Sequence, residues 1–394
     1  MVRHASLFSQ LVAFFRRSEF HNLVFRHNAE RYTKGFSSWD QFVAMLFCQF
    51  AQAKSLREIC GGLSCCLGKL RHLGVKKAPN KSTLSYANAH RPWRMFQDLF
   101  YHTLDVCRMA GTAKHKFRFK NKLLSLDSSN ISLCLSLFPW AKFRRTKGAV
   151  KLHLLLDHDG YLPTYAYISN GKKHDVTIAR KVPLSSGSIV AMDRGYNDYA
   201  LFAYWTENQI YFVTRLKDNA DYSVVQELPI PSNRNILADQ LIQFNGHNAR
   251  KKCPHTLRKV VVWDKEQNRQ IVLLTNHLDF GPTTISAIYK DRWQIELFFK
   301  ALEQNLKVKT FVGTSENALY IQIWTALITM LLIKYMQFKS KMNWSLSNLV
   351  AFLRWNLFTY RDLWEWLDDP YEVPPITSAP VQQTLPFKGL GQHI

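Results

Sequence analysis

The run Leu123-Leu-Ser-Leu-Asp-Ser-Ser-Asn-Ile-Ser-Leu133 reads as a buried strand with a carboxylate, Asp127, in its middle. A charge taken out of water at such a place is costly unless it is paired or bound to a metal. A second apolar strand, Ser188-Ile-Val-Ala-Met-Asp193, ends on an acid and is followed by Arg194-Gly195-Tyr196 and a helix. Gly195 permits a sharp strand-to-helix turn, which leaves Asp193 at the strand's open end. Between the two acids, Lys151–Asp157 and Leu162–Ile168 flank Asp157-His-Asp-Gly160 as a hairpin. His174-Asp175 precedes a helix, with His174 a candidate auxiliary group or a simple helix cap, and Gln209–Arg215 is a further strand. Strands interleaved with short helices make this part of the chain α/β.

A third acid stands out on a helix. Tyr289-Lys-Asp-Arg-Trp-Gln-Ile-Glu-Leu-Phe-Phe-Lys300 places Tyr289, Arg292, Glu296 and Lys300 on one helical stripe. Such a stripe gathers groups that grip phosphate around one group that binds a hard cation. The plainer alternative is a solvated face with ion pairs one turn apart. The charge of the whole chain bears on the choice: 52 Lys and Arg against 29 Asp and Glu give +23 over 394 residues. That excess points to a polyanionic partner, nucleic acid first.

Residues 1–110 read as helical. Ser38-Trp-Asp-Gln41 and Ser55-Leu-Arg-Glu58 have the form of capping boxes, the second opening a helix that Gly61-Gly62 should stop. After Pro79 comes a short polar helix, residues 80–91, with Lys81 and Arg91 as candidate DNA contacts of a helix-turn-helix reader. Lys114–Lys122 alternates basic and other residues, as a strand lying along a phosphate backbone or a charged edge strand would. The segment 218–282 has β-branched runs and no helical period, and reads as a β-rich insertion. Helices are expected over 283–306, 316–337 and 345–367, and a flexible tail from 370. Seven cysteines with no CxxC pair support neither a disulfide framework nor a zinc finger. Ile321–Met336, the most apolar segment, is shorter than a membrane span and reads as a buried helix. The expectation is a cytosolic protein without membrane contact.

Asp127, Asp193 and Glu296, three carboxylates from separate elements without Cys or His partners, favour Mg²⁺ or Mn²⁺. Two such ions roughly 3.5–4 Å apart stabilise the attacking and leaving oxygens of a phosphoryl displacement. Asp127 in its strand, Asp193-Arg-Gly-Tyr196 and Tyr289-x2-Arg292-x3-Glu296 together resemble the DDE transposases of bacterial insertion sequences, in the insertion-sequence-4 branch. The resemblance extends from Phe36-Ser-Ser-Trp-Asp-Gln-Phe-Val-Ala-Met-Leu46 and Ser55–Ile59 to Lys309. It implies a ribonuclease-H-like core (111–217, completed by 283–369), interrupted by the β-rich insertion and preceded by the all-α DNA-binding domain of residues 1–110. It further implies that Asp127, Asp193 and Glu296 are catalytic and hold two Mg²⁺ or Mn²⁺ ions. Tyr289, Arg292, Lys300, Arg194, Lys81 and Arg91 would touch DNA. The implied partner is double-stranded DNA, both terminal inverted repeats and target, bound by a homodimer. One position departs from the family pattern: a lysine expected seven residues past the glutamate is Glu303. The rival readings are a ribonuclease-H-like nuclease or resolvase without strand transfer, and a catalytically inactive DNA-binding remnant.

Overall fold

In a computed structural model, residues 4–66, 70–110, 116–142, 148–232, 235–308 and 310–371 are described. The first 110 residues form α1 (Leu7–Ala13), α2 (Arg17–Arg26), α3 (Ser38–Ala51), α4 (Leu56–Ser64), α5 (Lys81–His90) and α6 (Arg94–Ala110). The first capping box lies one residue earlier than expected. Ser37 caps α3, its hydroxyl accepting from Asp40 N–H while the Asp40 carboxylate accepts from Ser37 N–H. Ser55 caps α4 through Glu58 N–H, but α4 does not stop at Gly61-Gly62. A Cβ at Gly62 would sit 2.8 Å from the Phe47 ring, so the glycine serves close approach of α4 to α3 and not termination.

The sheet begins with β1 (Leu123–Leu133), β2 (Gly148–Asp157) and β3 (Leu162–Asn170), followed by α7 (Asp175–Ala179), β4 (Ile189–Met192), α8 (Tyr199–Glu207) and β5 (Tyr211–Arg215). β1, β2 and β3 pair antiparallel as a meander, while β4 and β5 add in parallel on the other side of β1. This is a ribonuclease-H-like sheet. Residues 218–282 supply β6 (Tyr222–Glu227), β7 (Ile236–Phe244), α9 (His247–Lys252), β8 (Leu257–Asp264) and β9 (Arg269–Thr275). β9 pairs antiparallel with β5, so the β-rich segment extends the same sheet to nine strands, in the order β3-β2-β1-β4-β5-β9-β8-β7-β6. The single helix inside it, α9, is under two turns long, too short to leave a period in the sequence.

The described residues end in α10 (Pro282–Asp291), α11 (Trp293–Asn305), α12 (Glu316–Lys339), α13 (Leu346–Asn356) and α14 (Leu363–Asp368). The helix expected over 283–306 is thus two helices meeting at Arg292, and that over 345–367 is also two. Residues 372–394 and Lys114-His115 lie outside the described residues. Residues 116–122 form bends and no strand. Lys116 pairs with Asp291, Lys122 lies 2.9 Å from Asp157, and Phe117 and Phe119 stack at 5.0 Å. Those aromatic and ionic contacts win over the period-two pattern.

α12 is apolar enough by length and composition to cross a membrane, yet 83% of its most apolar window is buried inside the protein. It is a central post. One hydrophobic core gathers Phe42 and Phe50 of α3, Phe96 and Phe100 of α6, Leu152 and Leu154 of β2, Trp324 and Ile328 of α12, and Leu353 of α13. The N-terminal helices therefore share their core with the C-terminal ones. A separate core lies on the other sheet face, around Leu126, Met192, Phe202 and Phe212.

Candidate active site

The parallel register of β1 and β4 brings the first two acids together. Leu123 pairs with Ile189, and the pairing runs through Leu126 with Met192. Continued one residue, it sets Asp127 beside Asp193 with both side chains on one face. Neighbours in the strands agree: Leu124, Leu126, Val190 and Met192 point into the opposite core, while Leu123, Ile189 and Ala191 face α10. Glu296 arrives on that same face from the first turn of α11.

Arg292 ties the arrangement. Its Nη2 lies 2.6 Å from Glu296 Oε1 and its Nη1 3.4 Å from Asp127 Oδ2. The guanidinium stands over the Tyr289 ring at 5.5 Å. It is buried, and its Nε has no hydrogen-bond partner. Burial alone would lower the Arg292 pKa, but Tyr289, Glu296 and Asp127 outweigh it and raise it. Asp127 shows the converse. Burial, chiefly, pushes its pKa up to about 6; the Ser128 N–H at 2.8 Å and Arg292 pull it down, while Glu296 and Asp193 push it up. Because both acids act on Asp127, the three carboxylates form one electrostatic site. Asp193 caps the turn at residues 194–196, accepting from Gly195 N–H at 3.4 Å. It opens onto a shallow pocket of about 540 Å³ shared with Arg194, Lys217, Asp218 and Asn219.

The other candidates divide. Lys300 is exposed on α11 one turn past Glu296, and Lys81 is exposed at the start of α5. Arg194 lines the pocket by Asp193, its Nη1 3.4 Å from Asp218 Oδ2. Tyr289 is partly buried; its phenol is raised by burial, then lowered by Arg292 and raised by Asp193. Arg91 does not face solvent and is corrected as a DNA contact. It is buried, donating to Phe36 O, to Ser37 O at 2.7 Å and to Gln41 Oε1 at 3.2 Å, so it closes the α3–α5 contact. Arg292 as a free phosphate grip is likewise corrected, since the two carboxylates hold it. His174 is exposed at the N-cap position of α7 without a side-chain capping hydrogen bond, whereas its neighbour Asp175 accepts from Ser128 Oγ at 2.8 Å behind the site. Tyr196, which closes the Asp193-Arg-Gly-Tyr motif but was not among the candidate site residues, is buried beside the acids, its phenol raised by burial, Asp175, Asp127 and Asp193. Glu303 accepts from Ser129 Oγ at 3.0 Å. The residue that departs from the family pattern therefore ties α11 to β1.

Among the described residues, no three of His, Cys, Asp and Glu stand ready as a metal cage. The donor set nonetheless fits a hard divalent ion: it is all carboxylate oxygen, and it already embraces a cation, Arg292. Burial, the main cause of the raised Asp127 pKa, disfavours its charged form, and a bound divalent ion would favour that form again.

A ribonuclease-H-like sheet with three acids converging on one face defines a class of enzymes that act on nucleic-acid phosphodiesters. The family described as Transposase DDE domain matches residues 118–332, and the chain belongs to that family of DDE transposases. Residues 3–76 match a domain of unknown function (DUF4372). The y4zB protein of Sinorhizobium fredii, designated a transposase by name, is 30% identical over 65% of this chain and 71% of its own length. A protein of Geobacillus stearothermophilus named for insertion sequence element IS5377 is 28% identical over 69% of this chain and 72% of its own. A piggyBac transposase solved in a synaptic complex with hairpin DNA is 12% identical, with a TM-score of 0.46 over 93% of this chain and 82% of that one.

Proposed function

We propose that this DNA transposase cuts the ends of its own insertion element and joins them to target DNA, with Asp127, Asp193 and Glu296 as the catalytic acids. The register that sets Asp127 beside Asp193, together with the Arg292 guanidinium that Asp127 shares with Glu296, supports the reading. The three carboxylates would hold two Mg²⁺ or Mn²⁺ ions, which when bound supply charge stabilisation at the scissile phosphate and a more acidic nucleophile. Asp193 at the pocket mouth and Glu296 on α11 would present their oxygens to the same ions as Asp127. Arg194, Lys217 and Lys300 offer cations around that space for a phosphate backbone. The exposed face of α5, with Lys81 and the nearby Lys76 and Lys77, would grip the element's ends, and the DNA complex would contain two copies of the chain. Residues 1–110, 111–217 with 283–369, and 218–282 are proposed as the functional divisions of the chain.

The test uses a duplex carrying the element's end with a labelled 3′-hydroxyl. Wild-type protein with Mg²⁺ should give both nicked and joined products. Asp127→Asn, Asp193→Asn and Glu296→Gln should each lose both while still binding the duplex, because binding rests on phosphate contacts. Nicking without any joined product would favour the nuclease reading, and full activity in any one variant would remove that residue from the site.

A further inference from the structure

The hairpin turn between β2 and β3 carries a buried group that the chemistry above does not use. His158 Nδ1 lies 2.5 Å from Asp291 Oδ2, and His158 Nε2 lies 2.7 Å from Ser125 Oγ. Asp291 ends α10, one residue before Arg292, and its side chain is 1% exposed. Lys116 reaches its other oxygen and the Tyr161 hydroxyl stands 3.4 Å from Oδ2. A serine, a histidine and a carboxylate hydrogen-bonded in that order have the form of a nucleophilic triad. Ser125, however, is fully buried in the strand, so no reacting atom can approach its hydroxyl. The arrangement must do something other than attack.

Its place in the register says what. Ser125, Asp127 and Ser129 alternate along β1 and share one face. Ser125 reaches Asp291 through His158; Asp127 is held by Arg292; Ser129 donates to Glu303. Three successive side chains on one face of β1 thus engage the α10–α11 pair at its junction and along α11. The junction is where the helix is interrupted and where a hinge would displace Glu296 relative to Asp127. A neutral His158 satisfies both ends, its Nδ1–H donating to Asp291 while Nε2 accepts from the Ser125 hydroxyl. The turn itself is fixed, with His158 N–H donating to Leu123 O at 3.1 Å.

We propose that His158 is a positioning residue for the transposase reaction: through Asp291 and Ser125 it holds the α10–α11 junction, and with it Glu296, in register with Asp127. This rests on the assignment of Asp127, Asp193 and Glu296 as the catalytic acids. Partners that orient metal-binding carboxylates typically affect metal affinity or activity by 10–100-fold when removed.

The experiment compares full-length wild type with His158→Ala, His158→Asn, Ser125→Ala and Asp127→Asn. Four quantities are read: strand-transfer rate at saturating end duplex, duplex Kd, Mn²⁺ affinity by calorimetry, and Tm. His158→Ala and Ser125→Ala should lower the rate by about 10–100-fold and weaken Mn²⁺ binding, with duplex Kd unchanged. His158→Asn, which keeps a donor toward Asp291, should recover most of the rate. If His158→Ala does not fold, Ser125→Ala, the loss of one oxygen atom, decides alone. Unchanged rate and Mn²⁺ affinity with only Tm lowered, beside an inactive Asp127→Asn, would overturn the positioning role and leave the acids in place. An active Asp127→Asn would instead overturn the assignment of the acids.

Discussion

Asp127 and Arg292 set the energetics of the site at the scale of single residues. With its pKa raised from 3.8 to about 6, Asp127 disfavours its charged form in the folded protein. The cost is absent below pH 4, where folded and unfolded chains are both protonated. It grows between pH 4 and 6 and is complete above 6, where it is on the order of 3 kcal/mol. With a chelator present, Asp127→Asn should therefore be more stable than wild type at pH 7 and equal to it below pH 4. Denaturant melts at the two pH values check this, and equal stability at both would mean that Arg292 already neutralises the carboxylate. Arg292 gives the complementary prediction. It occupies the place of a cation between Asp127 and Glu296, so a divalent ion must compete with it. Arg292→Gln should tighten Mn²⁺ binding by about tenfold, equivalent to about 1.4 kcal/mol. Weaker binding in calorimetry would show instead that Arg292 helps to assemble the carboxylates.

At the scale of elements, what could be read from the chain depended on whether a pattern is local. The strands around Asp127 and Asp193 were legible because their apolar runs are continuous and their ends are marked by turn residues. The meeting of the two acids was not, since it depends on the register between β1 and β4, which no local pattern encodes. Arg91 looked like a DNA contact because a basic residue ends a polar helix. The structure turns its guanidinium onto the start of α3, at Phe36 O, Ser37 O and Gln41 Oε1, while Asn317 of α12 donates to Asn88 O at 2.8 Å and Arg91 O at 2.6 Å and so caps α5 from a distant part of the chain. The opposite end of α5 is exposed and basic. Lys76, Lys77, Lys81, Ser85 and Tyr86 are exposed, with Tyr86 stacked on His90 at 4.0 Å. Changing Lys76, Lys77 and Lys81 to Ala should weaken duplex binding and lower the slope of log affinity against log salt by about one unit per lysine. A slope that stays constant in a fluorescence titration would place the DNA elsewhere. Arg91→Ala should cost stability and leave that slope unchanged.

For the whole molecule, the decisive feature is a core shared between the two ends of the chain. Phe8 N–H donates to Leu357 O at 2.8 Å and Leu7 N–H to Thr359 O at 3.1 Å. Gln52 donates to Asn305 O at 2.9 Å, and Arg354 donates to Gln52 Oε1 at 2.6 Å. Gln49 makes two further links, donating to Gln322 O and accepting from Lys307 N–H. Apolar contacts follow the same route, with α12 packed against α3, α5 and α6. A fragment of residues 1–110 would expose the faces of those helices that α12 covers and leave these polar groups without partners. Fragment 1–110 alone should therefore melt without a cooperative transition, lack near-ultraviolet dichroism, and show no preference for end duplex over random duplex. Adding residues 283–371 as a second polypeptide should restore a cooperative melt. A sharp transition in the isolated fragment would establish an autonomous DNA-binding domain. Without one, the α5 surface and the Glu296 helix would belong to a single body, because both pack on α12, and DNA held at α5 would be coupled to the active-site face through packed side chains instead of across a linker.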